Sequence, residues 1–383
     1  MIVKRTILFV STFSFVTLMM LFSFTSILLG LKNELELSNT QFGSLLSVFS
    51  IFYATVQIPS GILSDKFGGK IVASIGLSVM AVASLAFSFS TLYEMALLFR
   101  ILAGLSGGLI LPATIRLLSE WFTGEELVKA MSVFGLGQGL GFLLTYTLGS
   151  LIVDSLGWRV GSLFSGMIVI GAAVLSWIFL KDVASDATAF TVRTDVRRSI
   201  RSGRLTLLIM VNFAALAVTS GVLQFAPSFL ENKYGFSIVS TGLIVALFGV
   251  MTVLSPYLSG LASERIGKNN VIIVSMLMCT LFPLILGLSS SIIIVIVSAA
   301  LIGFGTMFYF PPTFAEVPQT AGEEHAGKIF GVFNSVSFGA SAVSPIIYGY
   351  ILDNSGSAEL AFGSISMLAI VGLIGAFLLS RVT

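Results

Sequence analysis

Arg100 is the residue from which chemistry can be read most directly. It stands about eight residues inside an apolar stretch, 92–117, roughly 12 Å deep at about 1.5 Å per residue. An arginine at that depth is costly and by default marks a functional site. Its planar guanidinium suits a carboxylate or another oxyanion. A second reading stays open beside this one, in which Arg100 bonds to carbonyls or polar groups of the first span and stabilises helix packing. Polar residues in other apolar stretches extend the candidate binding set: Tyr53, Gln57, Gln138, Asn212, Gln224, Tyr309 and Asn334. Each alone also suits a helix–helix hydrogen bond. Together they describe a weakly polar, aromatic-edged cavity with one positive charge.

Absences sharpen the reading. No Asp or Glu falls deep within an apolar stretch; Asp65, Glu94, Glu120, Glu264 and Glu316 sit near ends. A proton-coupled exporter of cationic drugs usually needs a buried carboxylate, so the pattern favours an anionic substrate meeting Arg100. The single histidine, His325, lies in a polar connection and the single cysteine, Cys279, in an apolar run. Neither a metal cluster nor an internal disulfide is expected, and no cofactor. The sequence holds no Walker-type phosphate loop, and the chain reads as a non-enzyme.

The elements that must position these residues follow from composition. Of 383 residues 56% are hydrophobic and 10% charged, with mean hydropathy +1.03; soluble domains carry about 25% charged residues. The net charge of +2 gives no basic surface for nucleic acid. Apolar runs near 20 residues recur from end to end, each long enough to cross a bilayer as a helix. Solid runs of this kind exclude a β-barrel, whose strands alternate. Twelve spans are expected at 6–30, 40–62, 70–91, 92–117, 129–153, 160–180, 205–230, 239–261, 270–288, 290–315, 328–352 and 360–380. With the N-terminus inside, the inner connections receive most of the basic residues and the outer ones only Lys32, Arg159 and Lys233. Both termini are therefore expected in the cytoplasm of a multi-pass protein of the cell inner (plasma) membrane.

A polar linker, 181–204, divides the chain into two six-helix halves, 1–180 and 205–383. The halves repeat at a shift of 199 residues. GILSDKFGGK (61–70) aligns with GLASERIGKN (260–269), Gly104 with Gly303, Pro112 with Pro311, Asp154 with Asp353 and Gly157 with Gly356. Parallel repeats about an axis normal to the membrane point to alternating access around a site near the midplane. Each half supplies a wall of that site, so a monomer suffices.

Residues 61–70 also carry a family resemblance. Gly61, Leu63, Asp65, Lys66, Gly68, Gly69 and Lys70 match the loop 2–3 signature G-x-L-x-D-[RK]-x-G-[GRK]-[RK]. The segment from Arg100 to Gly108 is similar to an arginine-glycine signature of span four. The chain thereby resembles the major facilitator superfamily of secondary transporters, most of all its anion-transporting members. The resemblance implies an all-α fold of two six-helix bundles related by a pseudo-two-fold axis. It also implies a gate in which Asp65 faces the inner N-terminus of span eleven, where a helix dipole favours an anion, with Arg116 balancing it. Gly61 is read as a close helix contact, and Glu264 and Arg265 as the weaker counterpart in the second repeat. The expected function is transport of a small organic anion, foremost a carboxylate, or an inorganic one, with a proton or sodium ion open as coupling partner. Export of apolar or drug-like compounds, and a non-transporting receptor or scaffold on the same fold, stand as alternatives.

Overall fold

The structure, a computed structural model, describes residues 2–22, 24–122, 124–182, 203–317 and 326–382. Among these all regular structure is helical: α1 (Ile2–Phe22), α2 (Thr25–Glu34), α3 (Asn39–Phe67), α4 (Gly69–Phe87), α5 (Tyr93–Trp121), α6 (Gly124–Leu144), α7 (Ser150–Phe179), α8 (Gly203–Tyr234), α9 (Ile238–Ile266), α10 (Lys268–Leu288), α11 (Ile292–Phe308), α12 (Phe310–Glu316), α13 (Ala326–Ser355) and α14 (Ala358–Val382). A π-helical turn, Thr145–Gly149, joins α6 to α7.

Eleven stretches among the described residues are long and apolar enough to cross a membrane. One of them, Gly139–Phe179, has 41 residues, about 60 Å of helix and twice the ~30 Å hydrocarbon core. Gly157 breaks it with φ 84° and ψ 163°, a conformation open to glycine. The stretch is therefore two spans, the fifth and sixth, and the count is twelve. Two spans expected as single helices are interrupted. The first divides into α1 and α2 around Phe24. The tenth divides at Tyr309 into α11 and α12, because Pro311 and Pro312 lack backbone N–H donors and proline crowds the carbonyl four residues earlier.

The chain forms two compact units: Met1–Leu37 with Val48–Val192, and Ser38–Ser47 with Arg193–Thr383. Helix α3 is thus shared, its first turns belonging to the second unit. The expected linker, 181–204, lies outside the described residues except at Lys181, Asp182, Gly203 and Arg204.

Within each unit the packing repeats. In the first, α4 packs on α5 and α7, and α1 on α6 and α7; in the second, α10 packs on α11 and α14, and α8 on α13 and α14. The side chains repeat as well. Ser60 donates to the Leu109 carbonyl at 2.9 Å, and Ser259, 199 residues on, donates to the Phe308 carbonyl at 2.6 Å. Local sequence starts the corresponding helices alike. Ser38 and Gln41 exchange hydrogen bonds of 3.0 and 3.1 Å with each other's backbone N–H, a reciprocal capping box. Ser237 caps α9 by accepting from the Ser240 N–H at 3.2 Å.

Candidate functional site

In the first unit the site is built on glycines. Gly104, Gly107 and Gly108 leave one face of α5 bare at helical spacing, which lets a neighbouring backbone approach. A Cβ on Gly104 would lie 2.5 Å from the Phe49 carbonyl oxygen, and one on Gly108 2.6 Å from that of Tyr53. This close seating of α3 brings the Phe49 ring centroid to 4.5 Å from Arg100 Cζ. Tyr53, one turn along, stacks on Phe49 at 6.1 Å, and Gln57 follows a turn further on the same face, buried. Arg100 is only 2% exposed. A ring face opposite a desolvated guanidinium contributes on the order of 2 kcal/mol, offsetting part of the cost of keeping that charge in the bundle.

The second unit repeats the scaffold without the charge. A Cβ on Gly303 would lie 2.7 Å from the Phe248 carbonyl oxygen, the same approach as Gly104 to Phe49. The position matching Arg100 is Ala299, which is buried.

Of the residues expected in this half, Asn212 and Tyr309 meet: the Tyr309 hydroxyl donates to Asn212 Oδ1 at 2.5 Å. The break between α11 and α12 falls at Tyr309. Asn212 Nδ2 and Gln224 Oε1 are buried with no hydrogen-bond partner among the described residues. Gln224 does not share a level with Asn212, since twelve residues of continuous α8 separate them by about 18 Å. Asn334 is half-buried on α13. The side chain of Gln138 lies outside the described residues, as do those of Asp65, Lys129 and Lys328.

The connection between α3 and α4 is held by a residue that sequence reasoning did not single out. Asp182, just after α7, accepts the Lys70 backbone N–H at 2.9 Å and so caps α4. Gly68 has φ +86°, and a Cβ there would fall 2.5 Å from Asp182 Oδ2, so glycine is required twice over. Trp121 Nε1 donates to the Lys181 carbonyl at 2.6 Å, docking the same short segment. Gly61 departs from its expected role: no described atom lies within 4 Å of a Cβ there, so it makes no close helix contact. Arg116 pairs with Glu120 on its own helix at 2.7 Å. Lys66, Glu264 and Arg265 are exposed.

Two carboxylates gain importance from the structure. Glu316, expected merely near a span end, is 5% exposed and accepts from Arg204 Nη2 at 3.1 Å. Asp353, at the end of α13, binds the first turn of α3. The alignment of Asp154 with Asp353 at matching span ends was the sequence signal for it. No group of three or more metal-ligating side chains occurs among the described residues.

The family model described as Major Facilitator Superfamily matches residues 8–345. Over 378 residues the chain is 25% identical to a probable sulfoacetate transporter, SauU, of Cupriavidus necator, covering 91% of this chain and 87% of that protein. It is 23% identical to a probable L-galactonate transporter of Escherichia coli, covering 87% and 79%. A hexuronate transporter of Bacillus subtilis is 21% identical, covering 90% and 87%. Among solved structures, a bacterial homologue of the human lysosomal transporter Spinster superposes with TM-score 0.84 at 13% identity, covering 98% of this chain and 96% of that one. The nucleoside transporter NupG superposes with TM-score 0.80 at 15% identity, covering 99% of both chains.

Proposed function

Because the chain belongs to the Major Facilitator Superfamily, and is thereby a multi-pass membrane transporter, we propose that it is a secondary carrier of a small organic anion, foremost a carboxylate. It works as a monomer in the cell inner membrane, both termini cytoplasmic, by alternating access between its two units.

The observation that carries this reading is the burial of Arg100 against Phe49. A guanidinium held in a low-dielectric bundle attracts an oxyanion far more strongly than it would in water, and its fork fixes the orientation of a carboxylate. The relatives named for sulfoacetate, galactonate and hexuronate support an acidic substrate.

The test is uptake of radiolabelled D-galactonate and D-glucuronate into proteoliposomes containing the purified chain, competed by a panel of organic acids, amines and neutral sugars. Saturable uptake inhibited by acids and not by amines is expected. Flux absent for every acid, or inhibited equally by amines and neutral compounds, contradicts the proposal.

A further inference from the structure

We infer that a crevice in the first unit seats an acyl chain of a membrane phospholipid. This goes beyond the anion site and requires only that the chain crosses a membrane, whatever it carries.

Two departures from regular α-helix meet at the crevice. One is the break between α1 and α2, where Phe24 has ψ 22°. The other is the π-helical turn Thr145–Gly149, a form that is rare and frequent at functional sites. Around them Met20, Phe24, Leu144, Leu148, Phe164 and Ile168 enclose about 550 Å³, counted to the open mouth, a size that suits small-molecule binding.

The repeat shows why the space is there. At the shift of 199 residues Gly149 matches Tyr348, and Ser26 matches Phe225. In the second unit those two aromatics are buried and their rings stack at 4.1 Å, while Tyr348 meets Phe362 at 5.0 Å. The first unit carries a glycine and a serine where the second has this plug of rings. A Cβ on Gly149 would find no atom beyond its own turn of helix nearer than 3.8 Å, so the position has room for a larger side chain.

The walls and the depth select the occupant. The hydroxyls beside the crevice are already engaged. Thr145 donates to the carbonyls of Gly141 at 2.9 Å and Met20 at 3.3 Å. Ser26 and Ser150 share a hydrogen bond of 3.0 Å, and Ser165 donates to the Gly161 carbonyl at 3.0 Å. A buried water needs several polar partners, and none of these hydroxyls is spare. At the mouth Leu148 and Phe164 are exposed. They stand nine residues before and seven residues after the break at Gly157, about 13 and 10 Å along their helices. That depth lies within one leaflet of a hydrocarbon core about 30 Å thick, where the surface faces acyl chains and not head groups. A chain that enters gains dispersion contacts with walls that otherwise lack partner atoms.

The experiment reconstitutes the full chain in vesicles of phosphatidylethanolamine and phosphatidylglycerol. A trace of the phosphatidylethanolamine carries a photoactivatable diazirine at the middle of one acyl chain. After irradiation, adducts are mapped by mass spectrometry in segment 144–168 and in the matching segment of the second unit, 343–367, which also bears exposed apolar residues. Adducts in the first segment should exceed those in the second several-fold. Gly149→Phe, which imitates the plug, and the smaller Gly149→Leu should each lower the first to the level of the second, in protein whose unfolding transition shows it folded. Equal labelling of the two segments in wild type, or an excess that persists in a folded Gly149 variant, overturns the inference. Either result leaves the anion-carrier reading untouched, since that reading stands or falls on uptake.

Discussion

Asp353 and Thr40 are joined twice: the carboxylate accepts the Thr40 backbone N–H at 2.7 Å and its hydroxyl at 2.5 Å. The other oxygen accepts from Asn39, backbone and side chain, at 3.0 and 2.8 Å. The backbones touch there as well, since a Cβ on Gly349 would lie 2.3 Å from the Asn39 carbonyl oxygen. Helix α3 therefore begins fastened to α13, while its later turns belong to the first unit.

Replacing Asp353 by Asn removes a charge facing a helix N-terminus, worth about 1 kcal/mol and up to about 2 when partly buried. Opening at this end should become about five-fold more frequent. Phe42, buried against Phe225 at 5.4 Å, supplies the reporter. In a Phe42→Cys background, Asp353→Asn should raise the rate of labelling by a water-soluble maleimide several-fold. Equal rates in the two backgrounds would show that the carboxylate does not hold the contact.

The repeat provides an internal control for the Arg100 site. Gly104→Ala and Gly303→Ala each force a methyl to within 3 Å of a phenylalanine carbonyl oxygen, and each should lower the unfolding temperature. The first also displaces Phe49 from Arg100 and should weaken anion binding about ten-fold or more. The second, beside Ala299, should leave binding within about two-fold. Equal losses of affinity in both variants would mean that the stack on Phe49 has no part in binding.

The connection between α3 and α4 makes a separate prediction. Gly68→Ala places a β-carbon at a left-handed backbone position, at about 1–2 kcal/mol, and against the Asp182 carboxylate. Asp182→Ala removes a helix cap, at about 1 kcal/mol. Since the two share one contact, the double variant should be less destabilised than the sum of the singles, as read by chemical denaturation in detergent. Strict additivity would mean that Asp182 and Gly68 do not act on each other.

Much of this was legible in the sequence because it is written in local pattern. Apolar runs gave the spans, and the 199-residue shift aligned Gly104 with Gly303 and Gly157 with Gly356 before their packing or backbone angles were known. Arg100 stood out because charge is rare in such runs. What depended on tertiary contact was not legible. Asp182 is an ordinary carboxylate at a span end until folding brings a helix N-terminus to it, and the repeat that aligned Asp353 with Asp154 did not say which N-terminus it meets. Gly61 matched its signature yet has no described neighbour within 4 Å of a Cβ, since a motif records residue type and not the neighbour. Asn212 and Gln224 were grouped in one cavity, although α8 sets them about 18 Å apart. Tyr309 was placed inside a span that the adjacent prolines break.

The central claim, that Arg100 holds the anion, is tested most directly by titrating D-galactonate, or the strongest competitor found in the uptake assay, into purified wild-type, Arg100→Lys and Arg100→Ala protein, each verified as folded by its unfolding transition. Losing one charge-assisted bidentate contact is worth roughly 1.5–3 kcal/mol, so Arg100→Ala should bind at least ten-fold more weakly. Arg100→Lys, which keeps the charge and loses the fork, should fall between Ala and wild type. Unchanged affinity in folded Arg100→Ala would contradict the account and leave Arg100 as a packing residue.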